Sequence, residues 1–153
     1  MRVLKADEAF YTAEQRVRRW LEQDQPVRVF GTDWMLEPEV KFARVEDVQP
    51  YVDRVLAHVG CKRPITVRTR RGASFAHYER LGAVMAIPAP EIGGRWALRE
   101  IVVLHEIAHH LSPAGEGHGK VFEQALCGLL RDVGHPTTAR LLEIAAYEER
   151  EAP

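Results

Sequence analysis

Residues 96–122 read WALREIVVLHEIAHHLSPAGEGHGKVF. The first sixteen of these positions, Trp96 to Leu111, form a strongly apolar run that predicts a helix, stopped where Ser112 and Pro113 make continuation unfavourable. Inside that helix lies His105-Glu106-Ile107-Ala108-His109. At about 100° per residue, His109 falls roughly 40° from His105 and one turn along, so both imidazoles can address one metal ion. Glu106 falls roughly 60° beyond His109, placed to act on a water held at that metal rather than on the metal itself. The spacing therefore nominates His105 and His109 as ligands and Glu106 as a general base. Burying two imidazoles and a carboxylate among Ile101, Val102, Leu104, Ala108 and Leu111 with nothing to compensate them would be costly, which argues against a purely structural role.

Zinc suits imidazole nitrogen, and its catalytic sites use three protein ligands with the fourth position left open, so a third ligand is required. His118 is the preferred one. It follows the helix-ending Ser-Pro and a glycine-rich loop, and Gly117 and Gly119 flank it, which allows the backbone to take positive φ and approach closely. Glu123 is the rival, as a downstream carboxylate on the next helix; otherwise it is an outer partner of the site or a solvated helix residue. His110 projects about 100° from His109 and reads as a flanking residue. His77, Tyr78 and Arg95 are candidates for a hydrogen-bond donor to a tetrahedral intermediate, and none of the three is singled out.

Working outward, residues 7–23 repeat apolar positions at three- and four-residue steps and predict an amphipathic helix ending before Pro26. Val27 to Phe30 is a strand candidate, Thr32 to Phe42 reads as loop, and Val45 to Val59 predicts a helix stopped by Gly60. Ile65 to Arg70 alternates as a strand with one covered face, and Ala83 to Ile87 is a more apolar strand, the candidate edge for pairing with an extended substrate. Two helices, Lys120 to Val133 and Pro136 to Glu149, close the chain. The expected architecture is α+β: a small, mostly antiparallel sheet of about three strands covered on one side by the HExxH helix and the helices after it. The 153 residues are expected to form one domain, with a helical part over 1–60, a catalytic core over 61–135 and a last helix over 136–150.

Composition excludes little and fits a folded protein, with 46% hydrophobic and 28% charged residues. The net charge of −1 announces no nucleic-acid or membrane partner. Basic residues are nonetheless concentrated between Lys62 and Arg80, and Arg68, Arg70 and Arg71 mark the one place where nucleic acid could bind. The two cysteines, Cys61 and Cys127, suggest neither a disulfide framework nor a cysteine metal cluster. Asp7 and Glu8 interrupt the N-terminal stretch where a secretory signal needs apolar residues, and no run reaches the length of a membrane span, so a cytoplasmic protein is expected.

The strings HEIAHHL (105–111) and GHGKVF (117–122) resemble the HExxH…HGxxF arrangement of SprT-like and related minimal zincin metallopeptidases. Residues 96–122 together with the segment Phe10 to Trp20 look closest to a poorly characterised metallohydrolase family of actinobacteria and their phages. The resemblance implies a zincin-like domain with one zinc ion on His105, His109 and His118, and hydrolysis of a peptide substrate by Glu106-assisted attack of a zinc-bound water. The chain departs from the SprT-like pattern in having no C-terminal four-cysteine zinc ribbon, which weakens any link to DNA repair. Two other readings stay open: a zinc-containing regulatory module that binds protein or DNA, and a hydrolase of non-peptide amides.

Overall fold

The computed structural model describes residues 2–72, 75–92, 94–115 and 117–152, which form an α+β arrangement of five α-helices and two small sheets among the described residues. In chain order these are α1 (Arg2–Gln23), β1 (Val27–Val29), β2 (Thr32–Trp34), α2 (Val48–His58), β3 (Thr66–Arg70), β4 (His77–Glu79), β5 (Val84–Pro88), α3 (Glu100–Leu111), α4 (Lys120–Asp132) and α5 (Pro136–Glu151). No helix among the described residues is long and apolar enough to cross a membrane. The chain divides into two compact units, Met1–Pro38 with Gly115–Pro153, and Glu39–Ala114.

The first unit is helical apart from the hairpin of β1 and β2. Ala9, Phe10, Ala13 and Val17 bury one face of α1, which packs against α5, where Ala139, Leu142, Ala145 and Ala146 are buried in turn. Alanine on both faces lets two helices run close together. Phe122, Leu126, Leu129 and Leu130 form the buried stripe of α4, and Phe122 meets Phe10 edge to face with centroids 5.8 Å apart. The stretch 32–42, expected as loop, begins with a strand, because Thr32–Trp34 pairs antiparallel with Val27–Val29. It also supplies the start of α5 with a distant cap: the Glu37 carboxylate accepts the backbone N–H groups of Thr137 and Thr138 at 2.9 and 3.0 Å. Burial alone would raise the pKa of Glu37, but these bonds outweigh it and hold the carboxyl below its usual range.

The second unit holds the three-stranded sheet, in the order β3-β5-β4. Here the expectation of a mostly antiparallel sheet is corrected: β3 and β5 run parallel over five residue pairs, and only β4 is antiparallel to β5, over three. The missing element in the expectation is β4. His77-Tyr78-Glu79 is short and polar and carries no alternating apolar signal, so it becomes a strand only by pairing with β5. The chain thus leaves β3, forms the far edge, and returns through a tight turn at Gly82 and Ala83 into the central position. A second correction follows. The strand expected at Ala83 to Ile87 as the edge for substrate is β5, the central strand, with Met85, Ala86 and Ile87 buried, and the edge beside α3 is β4.

The helix expected from Trp96 begins only at Glu100, since Arg99 is extended (φ −124°, ψ 144°) and bridges Lys41 in an antiparallel pair. Phe42 donates to the Leu98 carbonyl and Glu100 to the Val40 carbonyl, both at 2.9 Å. The same junction is held by side chains: Arg99 pairs with Glu39 at 2.6 Å, and Glu100 accepts from the Val40 N–H at 3.0 Å and from the Tyr51 hydroxyl at 2.5 Å. Burial, reinforced by the Glu100 carboxylate, pushes the Tyr51 hydroxyl far above its usual pKa. Gly94 lies so close to the end of β5 that a Cβ there would stand 2.4 Å from the Pro88 carbonyl oxygen and 2.6 Å from that of Ala89. Gly94→Ala is therefore expected to destabilise the protein by about 1–3 kcal/mol, the usual cost of forcing atoms into packed backbone. Urea unfolding checks this, and an unchanged midpoint would contradict it.

Candidate metal centre

The metal-binding pattern rides on the second half of α3. Val103, Leu104, Ile107 and Ala108 are fully buried and fix the rotation of the helix, so the positions of His105, Glu106 and His109 follow from the packing of their neighbours. His105 and Glu106 are buried, and His109 is half-buried. The Nε2 atoms of His105 and His109 are 3.2 Å apart, with ring centroids 4.9 Å apart and planes at 72°. Two nitrogens bound to one zinc at 2.0–2.1 Å in tetrahedral geometry would stand about 3.3 Å apart. The spacing of the two imidazoles is thus already that of a ligand pair.

His118 precedes α4, and its ring packs edge to face on Phe122 one turn along, with centroids 4.9 Å apart and planes at 73°. A fully buried Phe122 is a fixed wall, so it restricts the orientation of the imidazole. His105, His109 and His118 each offer a nitrogen, and these atoms all lie within 4.8 Å of one another, close enough to hold a metal ion. Glu106 adjoins this group in sequence as a buried carboxylate on the same helix.

The rival ligand is otherwise engaged. Glu123 is buried, not solvated, and both its oxygens accept from Arg150 of α5, at 2.6 and 3.2 Å. That ion pair also holds the Arg150 guanidinium above its usual pKa. The buried carboxylate ties α4 to α5.

Of the candidate oxyanion donors, His77 and Tyr78 have local partners. His77 Nε2 lies 2.9 Å from a Glu79 oxygen that also accepts from Arg68. The Arg95 side chain is exposed on the turn before α3. Tyr78 places its hydroxyl 2.7 Å from His110 Nδ1, while His110 Nε2 lies 2.9 Å from the Arg63 carbonyl oxygen. A carbonyl can only accept, so Nε2 carries the proton and Tyr78 donates to Nδ1. Burial, together with the charges of Arg63 and Arg80, lowers the pKa of His110 and keeps it neutral, against the opposing pull of its bond to the Arg63 carbonyl. Tyr78→Phe should leave Nδ1 only the long 3.4 Å contact from Arg63 Nη2 and cost about 1 kcal/mol. Thermal unfolding checks this, and an unchanged midpoint would contradict it.

Sequence reading did not identify the two arginines that close α3. Arg63 donates to the His110 carbonyl at 2.7 Å and Arg80 to that of His109 at 2.8 Å, satisfying carbonyls that a helix end leaves open and placing positive charge at its negative pole. Spacing along the chain carries no signal of this, because both come from distant segments. Much of the basic stretch is accounted for in this way: Arg63 and Arg80 cap α3, Arg68 pairs with Glu79, and Arg70 donates to the Phe75 carbonyl at 2.6 Å. Arg71 is exposed.

Compared with known proteins, the chain matches no family model, no curated protein and no solved structure.

Proposed function

We propose that the protein is a zinc-dependent hydrolase, specifically a metallopeptidase, with His105, His109 and His118 as ligands and Glu106 as the general base. The observation that carries this reading is the 3.2 Å approach of two imidazole Nε2 atoms one helical turn apart, beside a third histidine and a buried glutamate. Zinc in this set would supply a Lewis acid for the carbonyl under attack and lower the pKa of water to about 7. The chain's own residues do the rest. Three neutral imidazoles would leave a bound ion its full positive charge, and α3 holds two of them in place through its buried face. Glu106 takes the proton of the attacking water and returns it to the leaving amine, which needs a carboxylate that is close to the ligands without being one of them.

A peptide is favoured over other amides by β4. This strand is the sheet edge beside α3, with β5 on its other side, and no strand among the described residues pairs with its outer side, where an extended chain could add. A DNA-binding module draws less support, because Arg68 and Arg70, two of the three arginines nominated for it, have partners within the protein.

The test is incubation of zinc-loaded protein with unfolded polypeptides, followed by mass-spectrometric detection of new termini. Cleavage by the wild type, absent after chelation and in Glu106→Gln, is the expected result. Identical termini from wild type and Glu106→Gln would refute the proposal.

A further inference from the structure

Asp7 enters the sequence reading only as a charge that breaks an apolar stretch, yet α1 brings it to the loop that carries His118. Phe10 packs on Phe122, and Phe122 packs on His118. Asp7 stands three residues before Phe10 and so on the same face of α1. Its carboxylate reaches Gly117, where a Cβ would come within 3.0 Å of Oδ2 and where φ is +56°. Glycine at 117 is thus needed twice, for its backbone angle and for the room it leaves this carboxylate.

The other carboxylate oxygen, Oδ1, is buried with no hydrogen-bond partner. An acceptor in that state is disfavoured and rarely kept without a use. The neighbouring histidine suggests one. An imidazole that gives one nitrogen to a metal keeps an N–H on the other, and metal sites commonly satisfy that N–H with a carboxylate, which fixes the ring and strengthens it as a ligand. Resting on the three-histidine reading above, we propose that Asp7 is a positioning residue for His118, its buried Oδ1 accepting the ring N–H that remains when the other nitrogen binds the metal. Phe122 then limits the ring from one face while Asp7 sets its rotation and tautomer.

The test is titration of metal-free protein with Zn2+ against a chromogenic chelator, comparing wild type with Asp7→Asn and Asp7→Ala. Melting of the metal-free proteins and the imidazole 15N and N–H resonances of His118 in the zinc-loaded state are recorded alongside. A positioning role predicts zinc affinity lowered by about 10–100-fold in both variants. It also predicts metal-free melting temperatures no lower than that of wild type, since both variants remove a buried anionic oxygen that lacks a partner, and a displaced or lost His118 N–H signal. Zinc affinity within twofold of wild type would overturn the proposal, as would weakened binding that tracks lowered metal-free stability while the His118 signal is unchanged. Failure of wild type itself to bind Zn2+ would instead remove the metal centre on which the proposal rests.

Discussion

Glu106→Gln protein is expected to bind zinc as wild type does and to hydrolyse substrate about 10²–10⁴-fold more slowly, the range by which a positioned general base accelerates proton transfer. The amide is nearly isosteric with the carboxylate, so the buried surroundings of residue 106 are disturbed little. It cannot, however, take up a proton at neutral pH. Because Glu106 lies one residue from His105 and outside the ligand set, the variant separates chemistry from metal binding. Single-turnover rates of the zinc-loaded proteins check the first half and elemental analysis the second. Retained turnover would remove Glu106 from the reaction, and loss of zinc would make it a ligand.

The second large effect is expected at His118. With alanine there, α3 still presents His105 and His109 with their Nε2 atoms together, but two imidazoles are a poor zinc site. Four-ligand structural sites bind with about 10–16 kcal/mol, or roughly 2.5–4 kcal/mol for each ligand. His118→Ala should therefore weaken zinc by about 10²–10³-fold at 1.4 kcal/mol per decade. Its fold should persist, because the half-buried imidazole contributes less to packing than the fully buried Phe122 below it. Chelator competition measures the affinity and circular dichroism the fold. A variant that keeps wild-type affinity would return Glu123 to consideration, despite its bonds to Arg150.

What the sequence discloses depends on whether the cause is local. The closeness of the two α3 histidines is a property of helical periodicity, so His105 and His109 could be placed together from spacing alone, and the flanking glycines pointed to His118. The helices were legible for the same reason, with most ends within three residues; α1 starts five residues before the expected Asp7, and α3 starts four residues late because Arg99 is drawn into a bridge with Lys41, a contact between residues far apart in the chain. β4 was invisible because His77-Tyr78-Glu79 is short and has Tyr78 as its one strand-favouring residue, and its absence from the reading is what turned β5 from centre into edge. The caps on α3 from Arg63 and Arg80, the bond from Tyr78 to His110 and the placement of Asp7 against Gly117 all join distant segments. Each of these became visible only once the chain was folded.

The central claim is a zinc ion on three histidines, and it is tested most directly by elemental analysis of the purified wild-type protein after exhaustive dialysis. The account predicts about one zinc per chain, retained through dialysis and released by a strong chelator. Protein that neither carries zinc nor takes it up when Zn2+ is supplied would contradict it.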